Sequence, residues 1–84
     1  MKGLLIKDEI HWHDRWSSEL GMHLKTRDSS NNLLIFDEKY DDEDILALIG
    51  EAPKDTYQIL DLDQATEEDC DFLADSGICY RRLH

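Results

Sequence analysis

The stretch LIFDEKYDDEDILALIG, residues 34–50, decides the fold class because a strand pattern runs directly into a helix pattern. Its first residues are a continuous apolar run of the kind found in buried strands. Asp41 then offers a helix N-cap, the acids at 42–44 suit the first turn, and Gly50 is placed to end the helix. The stretch therefore predicts a strand followed by a short acidic helix.

A looser version of the same pattern follows later in the chain. Residues 57–62 favour a strand. Thr66, with Asp69 three residues later, resembles a capping box, and Gly77 is placed to end a helix. We therefore expect a second acidic helix after Thr66 and a closing strand over residues 78–83.

The segment Glu9–Leu20 fits two patterns. Trp12, Trp16 and Leu20 recur at the four-residue spacing of one helical face, and both tryptophans suit a core. Positions 10–13, in contrast, alternate apolar residues with histidines, as a half-buried strand does. A glycine follows the segment where a C-terminal cap is expected, so we favour a helix.

The remaining pattern predicts strands. Residues 4–6 form a short apolar run, and residues 22–37 suit a hairpin whose turn lies in the turn-forming run at 28–32. Strands alternating with helices indicate an α/β or α+β domain. We expect a small three- to four-stranded sheet with two or three short helices, the last two strongly acidic. At 84 residues the chain predicts one domain over residues 1–84.

The cysteines and the N-terminus indicate the cellular compartment of the protein. Cys70 and Cys79 are too few for a disulfide framework, which suggests a reducing compartment with both thiols as packing residues. The apolar run near the N-terminus is too short for a secretory signal or a membrane span. We therefore expect a cytoplasmic protein.

The charge of the chain is concentrated in one segment. Residues 1–36 carry five acids and five bases, whereas residues 37–76 carry fifteen acids and two lysines. The formal net charge of the whole chain is −11. Such a surface repels nucleic acid and acidic membranes and attracts basic partners over about one Debye length. Direct nucleic-acid binding and membrane binding are therefore excluded.

Acids on the second predicted helix stand in a single row. Glu67, Asp71 and Asp75 recur at four-residue spacing, and like charges at that spacing destabilise a helix. No lysine or arginine occurs between residues 55 and 80 to offset them. Helix capping explains several other acids but not this row, so we expect it to be kept for an external basic partner. The predicted contact residues are Asp41, Asp42, Glu43, Asp44, Glu67, Glu68, Asp71 and Asp75.

This surface predicts a non-enzymatic binding protein that docks on a basic protein and needs no cofactor. The partner would be a nucleic-acid-binding protein, a nuclease or another toxin, whose phosphate-binding groove the carboxylates would fill. Inhibitors, immunity proteins, antitoxins and DNA mimics act in this way. Two other interpretations stay open: Arg81 and Arg82 could serve as internal counter-charges, or the charge only keeps a structural or regulatory subunit soluble.

Three acids at predicted strand ends, Asp37, Asp61 and Asp63, support a different function. If their strands are parallel neighbours, the carboxylates share a crevice and could hold Mg²⁺ for phosphoryl transfer or hydrolysis. The Asp-x-Asp after an apolar strand resembles that of haloacid-dehalogenase-type phosphatases and of the TOPRIM nucleotidyl-transfer domain. The phosphatases' later lysine and acidic pair, and the Glu-Gly of TOPRIM domains, have no counterpart here. The simpler interpretation is that these acids cap helices or end strands.

Other metal sites have less support. His11 and His13 would share a face on a strand and could bind zinc, but no second pair of ligands is spaced to complete the site. The segments that begin at Asp37 and Asp61 lack both the glycine and the final glutamate of a calcium-binding loop. We therefore predict no metal site.

Overall fold

The fold is a curled antiparallel sheet with a short helix against its outer face. The structure is a computed structural model that describes residues 1–10, 12 and 20–83. Its elements in chain order are β1 (Lys2–Ile6), β2 (Leu24–Asp28), β3 (Leu33–Phe36), α1 (Asp42–Ile49), β4 (Tyr57–Gln64), β5 (Phe72–Leu73) and β6 (Cys79–Arg82). The strands form one sheet in the order β2-β3-β1-β4-β6-β5, and every neighbouring pair is antiparallel.

The stretch at residues 34–50 folds as predicted. β3 leads into α1, which is capped by Asp41 and ends at Gly50. Gly50 has a φ of 61°, a conformation that glycine adopts without the clash of a Cβ. The predicted hairpin is confirmed as the antiparallel pair β2–β3, and the strands predicted at 4–6 and 57–62 are confirmed within β1 and β4.

The predicted fold class is wrong in its numbers of strands and helices. We expected three or four strands with two or three helices. The described residues instead form six strands, and α1 is the one α-helix that lies wholly within them. The second acidic helix does not form, because residues 67–69 make a 3-10 turn and Phe72 and Leu73 pair as β5. Unneutralised acids at four-residue spacing disfavour a helix here, and strand pairing lets Phe72 pack inside the curled sheet.

Most of the predicted N-terminal helix, Glu9–Leu20, lies outside the described residues, including Trp16. Trp12 is 2% exposed, so its predicted place in a core is confirmed. Its indole N–H donates a hydrogen bond to the Thr56 hydroxyl at 2.8 Å, and that hydroxyl donates to the Pro53 carbonyl at 2.6 Å. Trp12 is thereby tied to the turn before β4. Across the described residues, no helix has the length and apolar character needed to cross a membrane.

Two cores cover the two faces of the sheet. Side chains alternate along a strand, so β1 sends Leu4 to one core and Leu5 to the other. The outer core lies beneath α1 and comprises Leu4, Trp12, Leu20, Phe36, Ile45, Ile49 and Ala52. The inner core lies within the curl of the sheet and comprises Leu33, Ile35, Leu60, Leu62, Ala74 and Tyr80. Apolar burial on both faces is the main force that stabilises the fold.

Hydrogen bonds between the two edges nearly close the sheet into a barrel. The N–H of Asp75, in the turn after β5, donates to the Arg27 carbonyl of β2 at 2.8 Å. The Asp75 carboxylate accepts from the Ser29 hydroxyl at 2.5 Å and from the Ser29 N–H at 3.3 Å. The buried Asp28 caps the 3-10 turn Ser29–Asn31, between β2 and β3, by accepting from the Ser30 N–H at 3.1 Å. These contacts shorten the unpaired edge that β2 would otherwise present.

Tyr80 generates a prediction about the inner core. Its side chain is fully buried, and among the described residues its hydroxyl has no hydrogen-bond partner. A buried unpaired hydroxyl costs roughly 1–3 kcal/mol. Tyr80→Phe should therefore leave the free energy of unfolding, measured in urea, unchanged or raise it by about 1 kcal/mol. Tyr80→Leu is the control, because the cavity it leaves should destabilise the fold. A clear loss of stability in Tyr80→Phe would show that the hydroxyl is bonded.

Candidate functional site: an acidic surface around Lys2

The first part of the site is the N-terminus of α1, where four exposed acids follow one another. The Asp41 carboxylate accepts the Asp44 N–H at 2.9 Å, and the Asp44 carboxylate accepts the Asp41 N–H at 3.2 Å. The N–H of Asp44 stabilises the ionised form of Asp41 and lowers its pKa. Asp42 and Glu43 lie in the first turn, where the helix dipole favours negative charge. The acids of this helix end are therefore compatible with its stability.

Lys2 connects this helix end to the sheet. Its ammonium lies 3.0 Å from a carboxylate oxygen of Asp42. It also contacts the carboxylate of Asp61, its cross-strand neighbour on β4. The hydrogen bonds to Asp61 and then to Asp42 raise the pKa of Lys2. One ammonium thus contacts two carboxylates, and Asp61 lies beside the acids of α1.

The outward side chains of β4 extend the surface along the sheet. Leu60 and Leu62 point into the inner core, so Asp61 and Asp63 point outward by strand alternation, with Cα atoms about 7 Å apart. After β4 the chain enters the 3-10 turn Glu67–Asp69, whose three acids are exposed. We define the acidic surface as Asp41, Asp42, Glu43, Asp44, Asp61, Asp63, Glu67, Glu68 and Asp69.

A depression of about 500 Å³ adjoins the acids of the 3-10 turn. Arg81, which pairs across the sheet with Asp63, lies at its margin with Arg82. The Asp71 carboxylate accepts the backbone N–H of Arg82 at 2.8 Å. Within residues 1–10, 12 and 20–83, no carboxylate comes within ion-pairing distance of either arginine. The lining residues are Glu68, Asp69, Cys70, Asp71, Arg81, Arg82 and Leu83.

The eight predicted contact residues divide into two groups. Six belong to the acidic surface, namely Asp41, Asp42, Glu43, Asp44, Glu67 and Glu68. The other two have partners within the fold, because Asp71 accepts from Arg82 and Asp75 accepts from Ser29. The predicted row of Glu67, Asp71 and Asp75 along one helix face does not exist, since no helix forms there.

Sequence reasoning missed three residues that build the surface. The sequence patterns indicate no role for Lys2, and they connect Asp61 and Asp63 with a possible metal site, a helix cap or a strand end. The alternation of Asp61 and Asp63 with Leu60 and Leu62 is the signal that identifies them as outward acids of a strand. Nothing local in the sequence indicates that Lys2 is their neighbour, because that contact depends on the register of β1 against β4.

The structure does not bring Asp37, Asp61 and Asp63 together as metal ligands. β3 and β4 run parallel to one another, but β1 lies between them. Asp37 follows β3 and Asp61 lies within β4, so their strands are about 10 Å apart. The ammonium of Lys2 contacts Asp61, and the N–H of Gln64 donates to Asp63 at 3.0 Å. The described part of the chain contains no group of three or more side chains arranged to hold a metal ion. The histidines at positions 11 and 13, considered for zinc, lie outside that part.

Lys2 should stabilise the fold through its two carboxylates. Lys2→Met keeps the apolar stem and removes the charge, so the free energy of unfolding should fall by roughly 1 kcal/mol. That corresponds to a decrease of about 4–8 °C in Tm. Lys7→Met is the matched control, because Lys7 is exposed and follows β1 directly. Thermal unfolding followed by circular dichroism measures both variants at neutral pH.

The raised pKa of Lys2 also predicts a pH dependence. The folded protein retains this proton above the ordinary value of 10.5, so the stabilisation is complete below that pH and is lost as pH rises through the folded pKa. Between pH 10.5 and the folded pKa of Lys2, wild type should therefore lose stability more steeply than Lys2→Met. Equal dependence of Tm on pH in the two proteins would show that the ion pairs contribute nothing.

Asp75 should stabilise the closure of the sheet. The Ser29 hydroxyl, and then the Ser29 N–H, lower the pKa of Asp75 below its ordinary value of 3.8. Its contribution is thus present above that value and is lost as pH falls through the folded pKa. Asp75→Asn should lower Tm at neutral pH and speed amide hydrogen exchange at Ser29. The control Asp69→Asn, at an exposed acid of the 3-10 turn, should do neither. If both variants behave alike, Asp75 does not close the sheet.

Comparison with known proteins does not assign this chain to a family. No protein-family model, curated protein or solved structure matches the chain. The arrangement and the charge of the acidic surface are therefore the features of this chain that indicate a function.

Proposed function

We propose that this protein is a non-enzymatic binding protein whose acidic surface docks on a basic protein. The observation that carries the proposal is the contact of Lys2 with both Asp42 and Asp61. Through that contact, the acids of α1 lie beside the outward acids of β4. Two elements that are distant in the sequence thereby contribute carboxylates to a single exposed region.

Several of these acids are available to an external partner. The carboxylates of Glu43, Glu67 and Glu68 are exposed, and they make no hydrogen bond or ion pair with the rest of the described chain. Their charges therefore add repulsion that no ion pair within the described residues offsets. A basic partner would offset that repulsion on binding, and its long-range attraction would speed association.

The partner class follows from the chemistry of such a surface. Carboxylates on a helix end, a strand and a turn form an anionic array, and grooves that bind nucleic-acid phosphates accept anionic arrays. A nuclease, another toxin or a nucleic-acid-binding protein presents a groove of this kind. The proposed role is therefore that of an inhibitor, similar to an immunity protein, an antitoxin or a DNA mimic. Free thiols at Cys70 and Cys79 support a cytoplasmic location for this role.

Paired charge reversals test the proposal. Glu43→Lys with Glu67→Lys changes the acidic surface at two positions whose carboxylates make no hydrogen bond or ion pair within the described part of the chain. Glu51→Lys with Asp55→Lys changes the net charge equally, at exposed positions beyond the C-terminal end of α1. The first variant should associate with the partner roughly tenfold more slowly at low salt, and the second less than about threefold.

The partner is first captured from a lysate on immobilised wild type at low salt and is released by salt. Its association rate with each purified variant is then measured by surface plasmon resonance over a range of salt concentrations. Equal slowing in both variants would show general attraction to a negative protein. An unchanged rate in the Glu43 and Glu67 variant would contradict docking through the acidic surface.

A further inference from the structure

The connection between β4 and β5 must cross β6. β6 lies between these strands in the sheet, and residues 65–71 join them. The N–H of Ala65 donates to the Cys79 carbonyl at 2.9 Å on one side of β6. The N–H of Asp71 donates to the Tyr80 carbonyl at 3.0 Å on the other side. Because Tyr80 fills the inner core, the connection crosses the outer face of β6.

This crossing brings the two cysteines of the chain together. Side chains alternate along β6, so Cys79 points to the outer face, opposite to Tyr80. Cys70 lies in the crossing segment, and both cysteines are half-buried. A hydrogen bond with the Cys70 thiol is the main reason why the pKa of Cys79 is raised to about 11. The topology of the sheet and the hydrogen bond between the thiols therefore both indicate that the two cysteines lie side by side.

We propose that Cys70 and Cys79 are a reversible redox pair that a small disulfide, such as oxidised glutathione, converts into an intramolecular disulfide. First, one protein thiolate attacks a sulfur of the oxidant, which forms a mixed disulfide and releases one glutathione thiolate. The other protein thiolate then attacks the protein sulfur of the mixed disulfide and displaces the second glutathione. The protein loses two electrons and two protons, and the oxidant gains them as two thiols.

The disulfide would join the crossing segment to β6 without rearranging the sheet. Backbone hydrogen bonds already hold Ala65 and Asp71 against β6 on its two sides. The ring that closes spans only residues 70–79, and short rings constrain the unfolded chain less than long ones. We expect a small increase in Tm on oxidation. The pair reacts in the isolated protein, so this proposal does not depend on the proposed binding function.

Intact mass after oxidation tests the proposal. Folded wild type treated with oxidised glutathione should lose about 2 Da. Both thiols should become unreactive towards a thiol reagent, and dithiothreitol should reverse both changes. Because the raised pKa keeps the Cys79 thiol protonated at neutral pH, the reaction should quicken by up to about tenfold per pH unit between pH 7 and about 10.

Single variants provide the control. Cys70→Ser and Cys79→Ser should each stop at the mixed disulfide with glutathione, since no second thiol can displace it. Wild type that accumulates mixed disulfides or disulfide-linked dimers, or that loses no mass at about pH 10, would overturn the proposal. Loss of mass only in denaturant would also overturn it, because the folded chain would then be keeping the thiols apart.

Discussion

Burial of β1 on both faces is the constraint on which the rest of the structure depends. Leu4 packs beneath α1 and Leu5 faces the inner core, so β1 needs apolar cover on two sides. The helix covers one side, and the sheet covers the other by curling until its edges nearly meet. The interior of the curl is tight at Gly3, where a Cβ would lie 2.6 Å from the Leu62 Cδ1 and 3.1 Å from the Leu33 Cδ1. A larger residue would push these side chains apart.

The same packing decides where the acids lie. Two apolar cores leave the strand ends, the turns and the outward face of β4 for charged residues. α1 must lie against the sheet to bury Ile45 and Ile49, which brings its N-terminus to Lys2. The register of β1 against β4 then places Asp61 beside the same ammonium. The acidic surface is thus a consequence of how the sheet is covered, and Lys2 offsets part of the repulsion that this packing creates.

Sequence patterns predicted the elements whose determinants are local. The N-cap at Asp41 and the β2–β3 hairpin depend on residues a few positions apart. The acids at the N-terminus of α1, which form one half of the candidate site, are likewise adjacent in the sequence. β5 could not be predicted, because two residues form it only by pairing with β6 and burying Phe72 among distant strands. The repulsion expected in a helical row from Glu67 to Asp75 indicates that no helix forms there, and the structure has a 3-10 turn and β5 instead.

Acids that look alike in the sequence have different tasks in the fold. Asp71 and Asp75 satisfy backbone N–H groups, and their removal would leave those donors unpaired. Glu43, Glu67 and Glu68 satisfy nothing within the described residues, so the fold gains no contact from their charges. The dipole of α1 favours the charge of Glu43, whereas Glu67 and Glu68 add repulsion to an already negative molecule. This repulsion is the physical basis for the proposal that these carboxylates meet positive charge on a partner.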